Sequence, residues 1–362
     1  MQEGAGKYDL PDRSEISAAM ERIISVAFMF LAMFGNTLII AAYYRNKVLR
    51  TTPNLLVVNL TIVDTLAAIT THPLLVSVLI SGGWFFGPDV CKYQAILNAF
   101  FFIISHLSIT FLSLNRYFII VRYKKHTATF VKRSTRIFLV SIWIVSCCFC
   151  VSHLMVNEKF EFHAKEAVCI ISRENSTTSV LMAAFGNIVF IATVYLNLAI
   201  FKSVRLHRRQ VSITLNKHPS GTNQREPGSL GLRRKRSKIT IGNEELSIAR
   251  KVVIVTSLYT LCWLPQGITK TARLGNTDFS REIWMASTFS TQLSSVINPV
   301  LFGLFNKKFR RAIIEMLRIQ NRRNVIHDTV FATDSHNTGI VGPLRLQQPF
   351  TVQGCLAEET TL

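Results

Sequence analysis

Asp64 is the one acidic residue well inside a long uncharged stretch of this 362-residue chain, Thr51–Pro88. A carboxylate at the centre of a bilayer costs at least ~2.5–3.5 kcal/mol, so such a group needs a partner or a function. Asn36, Ser105, Ser294, Ser295 and Asn298 are polar residues that can share its depth, and together they would hold a hydrated sodium ion or a water network. Arg116 closes a second uncharged stretch within Asn115-Arg116-Tyr117, and Glu245 opens a later one on the same side. An ion pair between them would contribute little stability at a water-lined boundary. Its use would lie in being breakable. No nucleophile–base set and no Cys/His ligand spacing stands out, so neither an enzyme nor a metal centre is expected.

These groups need elements to position them, and composition says which. Charged residues make up 17% of the chain, against about 25% in soluble domains, and the mean hydropathy is +0.30. The apolar residues gather into seven stretches: Ile23–Tyr44, Thr51–Pro88, Tyr93–Asn115, Ile137–Asn157, Asn175–Phe201, Val252–Thr269 and Ile283–Asn306. A bilayer core of ~30 Å takes roughly 20 apolar residues as helix, and an open chain satisfies its backbone in lipid only as helix. The expected fold class is an all-α membrane protein with seven spans.

Seven spans put the termini on opposite sides. With the N-terminus outside, the cytoplasmic segments take most of the 41 Lys and Arg, including Arg45, Lys47 and Arg50 in the first short loop. That is the bias of inner loops. The formal charge of +20 then reflects topology and an anionic inner leaflet rather than nucleic acid. Residues 1–22 read as an extracellular N-terminus without a signal-peptide core, 23–317 as the bundle, and 318–362 as a flexible cytoplasmic tail. Residues 202–247 form a basic third cytoplasmic loop with Pro219, Gly221, Pro227 and Gly228, expected to be disordered in its middle. No internal repeat is visible, which weakens a transporter reading.

Two spans carry prolines, in Cys262-Trp263-Leu264-Pro265 and Asn298-Pro299-Val300-Leu301-Phe302. Each proline removes a backbone hydrogen bond and bends its helix, a natural pivot beside polar groups. Of the 7 cysteines only Cys91 and Cys169 fall on the oxidising side, so they are the expected disulfide. Asn175-Ser176-Thr177 is a glycosylation sequon on the same outer loop.

Together these residues resemble the rhodopsin-like (class A) G-protein-coupled receptors, over roughly residues 23–317. The signatures are Gly35-Asn36, Asn59-Leu60-Thr61-Ile62-Val63-Asp64, Trp84, Cys91 placed 25 residues before Arg116, Asn115-Arg116-Tyr117, Trp143, Tyr195, and the two proline motifs. Asn306–Leu317, with Phe309 and alternating basic residues, looks like the family's short amphipathic eighth helix. The resemblance implies a plasma-membrane receptor whose extracellular ligand opens the cytoplasmic face to a heterotrimeric G protein. It gives Trp263, Pro265, Pro299 and Phe302 to the pivot, and Asn115, Arg116, Tyr117, Glu245 and Tyr195 to coupling. Arrestin and receptor kinases would act on tail residues such as Thr329, Thr333, Ser335 and Thr338. No cofactor is implied beyond a sodium ion near Asp64.

Departures narrow the ligand. Asn98 stands where aminergic receptors carry aspartate, which argues against a monoamine, and Gln292 stands where opsins carry the retinal lysine, which excludes covalent retinal. Asn115 replaces the usual acidic neighbour of Arg116, as in melatonin receptors, and Phe302 replaces a tyrosine. Asn187, where proline is usual, joins His106 and Tyr259 in a polar version of a normally apolar trio. Gln94, Asn98, Gln266, Trp284, Thr288 and Gln292 are the pocket candidates, the last three sharing one helix face. Lys270 and Arg273 near the outer mouth could attract an anionic group, but snorkelling is the preferred reading. A non-signalling seven-helix scaffold or decoy, or a transporter, are the alternative readings.

Overall fold

A computed structural model describes residues 8–121, 132–155, 159–172, 176–216 and 229–318. The helices are α1 (Glu15–Arg45), α2 (Thr52–Thr70), α3 (His72–Ser81), α4 (Gly87–Val121), α5 (Lys132–Met155), α6 (Ser176–Asn216), α7 (Ser229–Leu274) and α8 (Arg281–Phe305). Residues 307–318 form a further short helix, α9. A two-stranded antiparallel hairpin, β1 (Phe160–His163) and β2 (Val168–Ile171), lies between α5 and α6 and pairs Phe162 with Cys169. Helices α2 and α3 are two halves of one span, broken at Thr71 ahead of Pro73, which has no N–H to continue the ladder.

The burial pattern is that of a bundle in lipid. Large apolar side chains such as Phe30, Phe34, Ile137, Ile144, Ile188, Ile191 and Leu261 face outward, while Asn36, Asn59, Asp64, Ser105, Gln292 and Asn298 are buried. Lipid rewards the first arrangement, and interhelical hydrogen bonds account for the second. By length and composition six helices among the described residues are able to cross a membrane. Helix α8 is left out because Ser287, Thr288, Ser290, Thr291, Gln292, Ser294, Ser295 and Asn298 dilute its apolar residues. Most of that polar face is buried in the bundle, so α8 is a span shielded by its neighbours.

Three boundaries differ from those read in the sequence. Helix α1 begins at Glu15, ahead of Ile23, because its charged first turns find partners: the Ser14 side chain caps Ser17 N–H and Glu15 faces the positive helix end. The segment before it is tied down as well, since Trp84 N–H donates to Tyr8 O and Leu10 N–H to Gly82 O, both at 2.8 Å. A Cβ at Gly83 would meet Tyr8 O at 2.8 Å, so only glycine lets that strand approach. The basic loop is also shorter than expected. Helices α6 and α7 run into it to Asn216 and from Ser229, where Lys, Arg, Glu and Leu favour helix once the chain is clear of lipid, and its middle lies outside the described residues. The first compact unit ends at Ile314, with Glu315–Leu362 as a second.

At the end of the bundle away from the hairpin, Ile39, Tyr43, Val57, Val255, Leu301, Phe302 and Phe309 form one apolar cluster. Gly35 brings α1 against α8, where a Cβ would meet Pro299 Cγ at 2.8 Å. At the hairpin end, Arg281 forms a two-pronged pair with Glu21 at 2.5 and 2.8 Å, both residues buried. Breaking a buried pair leaves an uncompensated charge, so Glu21→Ala is expected to cost about 3–5 kcal/mol. Thermal unfolding in detergent checks this, with Lys165→Ala at an exposed pair as the variant that changes little.

Candidate ligand cavity and polar floor

A cavity of about 690 Å³ enters the bundle beneath the hairpin. Its floor is Asp64, Ser105 and Ser295, its walls include Gln94, Asn98, His106, Phe190, Trp263 and Gln292, and β2 roofs it. Five of the six residues read as pocket candidates line it: Gln94, Asn98, Gln266, Thr288 and Gln292. Trp284 does not. It is fully buried one turn above Thr288, with its ring 4.9 Å from His163 and its Nε1–H directed at Asp278 Oδ1 at 3.3 Å. A shared helix face therefore reaches two surroundings, the cavity below and the packed hairpin above.

The roof is pinned to three helices. Cys91 and Cys169 are disulfide-bonded with Cα atoms 5.2 Å apart, as the compartment argument required. Beside it Cys169 N–H donates to Gln94 Oε1 at 2.8 Å, and Thr288 Oγ1 to Glu166 O at 3.4 Å. Lys270 and Arg273 are not snorkelling cations. Lys270 Nζ lies 2.7 Å from both oxygens of the fully buried Glu166, and Arg273 lies 2.8 Å from Glu161. Lys165 of the β-turn pairs with Asp278 between α7 and α8. The sequence reading missed these carboxylates, although Lys159, Glu161, Lys165 and Glu166 alternate in sign close to Cys169 while Lys270 and Arg273 share one helix face.

At the floor, Asp64 Oδ1 accepts from Ser295 Oγ and Oδ2 from Asn298 Nδ2, both at 2.8 Å. Asn36 Nδ2 bridges Ala32 O at 2.8 Å and Ser295 O at 3.0 Å, so it joins the network through backbone. Ser294, grouped with Asp64 from the sequence, turns away because neighbouring residues on a helix point about 100° apart. Its Oγ accepts from Trp263 Nε1 at 3.1 Å. The Trp263 ring also meets His106 at 4.5 Å and Phe102 at 5.4 Å between centroids. His106 and Tyr259 do come together, 5.7 Å apart. Asn187 does not join them but donates to Thr271 Oγ1 at 3.2 Å.

Asn115 and Arg116 are buried near the far end of α4 and Tyr117 packs toward Ile200 and Val204. Tyr195 does not turn inward: it is 65% exposed on the outside of α6. The inward polar residue there is Asn197, whose Oδ1 accepts from Ser113 Oγ at 3.2 Å and Thr256 Oγ1 at 2.9 Å, joining α4, α6 and α7. An asparagine two positions from the motif tyrosine was the available signal. Pro265 and Pro299 both lie inside helices. The Glu245 side chain and Asn175 lie outside the described residues.

Burial alone would raise the Glu166 carboxyl, but the Lys270 charge and the His163 side chain outweigh it and hold the group at about 2, below the usual 4.5. A lowered folded-state value means that its contribution is complete above pH 4.5 and is lost as pH falls through about 2. Glu166→Gln is therefore expected to lower the melting temperature equally across about pH 5–8. A melting series in which the gap closes within that range would contradict the pairing.

The family model described as the 7 transmembrane receptor (rhodopsin family) matches residues 35–302. Among curated proteins, the chain is 24% identical to the high-affinity lysophosphatidic acid receptor of Xenopus laevis, over 88% of this chain and 90% of that one. It is 26% identical to the probable G-protein coupled receptor 45 of Mus musculus, over 85% of both. The crystal structure of squid rhodopsin superposes with a TM-score of 0.70 at 16% identity, covering 85% of this chain and 87% of that one. The fold is thus the seven-helix bundle, the disulfide-held hairpin and buried polar floor sit within it, and the chain belongs to the rhodopsin family of seven-transmembrane receptors.

Proposed function

We propose that this multi-pass membrane protein is a plasma-membrane receptor with its N-terminus outside, which takes an extracellular ligand in the hairpin-roofed cavity and activates heterotrimeric G proteins. The observation that carries the reading is the continuity of that cavity with buried polar groups of the bundle: Asp64 lies at its floor, and Trp263 in its wall is bonded to Ser294 of α8. A ligand that moves Trp263 acts on α7 and α8 at once, beside Pro265 and Pro299, where each helix has lost a backbone hydrogen bond. Arg116 and its neighbours lie at the opposite end, with Asn115 in place of an acidic restraint. The basic ends of α6 and α7 suit a membrane-apposed partner. Receptor kinases and arrestin would use the tail, and Asn175 would carry glycan.

Sodium belongs to the same reading. Oδ1 of Asn298, whose Nδ2 holds Asp64, and Oδ1 of Asn36, whose Nδ2 holds the Ser295 carbonyl, are buried without a hydrogen-bond partner, which suits a hard cation taking oxygen ligands.

Nucleotide exchange on several Gα types, in membranes holding the chain without ligand, tests the proposal. Exchange above background is expected, with Arg116→Ala reducing it by roughly tenfold or more. Background exchange by the unaltered chain on every Gα, with surface expression confirmed, would favour the non-signalling scaffold. Adding sodium chloride in place of choline chloride is expected to lower exchange, and Asp64→Asn to abolish that difference. An equal sodium effect in both would remove the ion from the account.

A further inference from the structure

We propose that the cavity takes an uncharged, bilayer-dissolved ligand, which enters sideways between α6 and α7 rather than through the roof. This rests on the receptor reading for its purpose but on the cavity alone for its chemistry.

The charged residues lining the cavity are Asp64, Glu166, Lys270 and Arg273. Lys270 is matched to Glu166 and Arg273 to Glu161, and both Asp64 oxygens accept hydrogen bonds at the floor. An anionic ligand would have to displace a hairpin carboxylate, and a cationic one a helix cation or the Asp64 partners. Left buried without a partner, a charge is strongly unfavourable. What the lining does offer is amide chemistry. Gln94 and Gln292 are buried, and Nε2 of Gln94, Oε1 of Gln292 and Oε1 of Gln266 have no hydrogen-bond partner. Asn98 and His106 add neutral polar groups, and much of the remaining wall, including Ala95, Phe102, Ile170, Phe190 and Trp263, is apolar. The complement is a mainly hydrocarbon molecule with one neutral donor–acceptor group, and about 690 Å³ suits a drug-sized or single-chain lipid molecule.

The route follows from what is fastened. The roof is held by a disulfide, by Gln94 to Cys169 N–H, and by ion pairs to α7 and the turn after it. On the side, the same cavity is lined by Leu264, Gly267, Ile268 and Thr271 of α7 and by Asn187 of α6, all on the lipid-facing surface. Among the described residues the seam is bonded here by Asn187 to Thr271 at 3.2 Å, and next by Thr256 to Asn197, ten residues further along α6 and away from the cavity. Gly267 puts no side chain on that surface, and a Cβ at that position would meet nothing within 4 Å.

Three probes of one length test both halves: 9,10-dibromostearamide, 9,10-dibromostearic acid and 9,10-dibromostearylamine, each added to the full chain in phosphatidylcholine nanodiscs. Bromine quenches tryptophan on contact, and Trp263→Phe identifies the part of the quenching that comes from the cavity. That part is expected for the amide, with affinity at least about 100-fold above the acid and the amine. Gly267→Leu, which has room to fold, is expected to slow its onset by at least about tenfold. Lys165→Ala, which frees the roof from the turn after α7 without touching the cavity lining, is expected to leave the onset unchanged. No cavity quenching by the amide, or equal quenching by a charged probe, would overturn the ligand class. An onset insensitive to Gly267→Leu, or hastened by Lys165→Ala, would overturn the route. No G protein is present, so quenching without nucleotide exchange would remove the receptor reading and leave this one standing.

Discussion

Hydrocarbon offers no hydrogen bonds, and the burial of Asp64 makes that constraint govern much of the bundle. Its two oxygens are satisfied by Ser295 and Asn298, which brings α2 against α8. Asn36 then bonds the Ser295 carbonyl, bringing in α1, and Gly35 next to it permits the contact with Pro299. Three helices thus meet around one carboxylate. The same need explains why α8 is too polar to be recognised as a span by hydropathy: its polar face is turned to the bundle interior.

A second set of charges sits at the opposite extreme of the cavity and behaves differently. Partly exposed pairs such as Arg273–Glu161 contribute little to stability, but they determine which elements move together. Hairpin and α7 are joined by Lys270–Glu166 and Arg273–Glu161, while α7 also carries Trp263 and Pro265. In the proposed receptor, the roof and the pivot helix therefore form one mechanical unit, and Trp263–Ser294 couples that unit to α8.

The seven spans, the disulfide and the need of Asp64 for polar partners were legible in the sequence because charge is so costly in lipid that its placement is nearly a map. Side-chain partners were much less so. Ser294 and Ser295 are adjacent in sequence and about 100° apart on the helix, so depth alone did not tell which one reaches Asp64. Trp284 shares a face with Thr288 and Gln292, but the hairpin's position decided that it packs rather than lines the cavity. Lys270 and Arg273 resembled interfacial cations because their carboxylates lie more than a hundred residues earlier, in a loop whose path the sequence does not give. Tyr195 carried the family pattern, yet the rotation of α6 gives the interior to Asn197 instead.

The proposed receptor is a bundle with two states that differ at the end opposite the hairpin. Spin labels at Val121 of α4 and Arg250 of α7, in a chain cleared of the exposed Cys147 and Cys148, report that distance by double electron–electron resonance. Adding nucleotide-free G protein is expected to shift the distribution to a longer separation, and Arg116→Ala to prevent the shift. An unchanged distribution, with G protein demonstrably bound, would contradict the account.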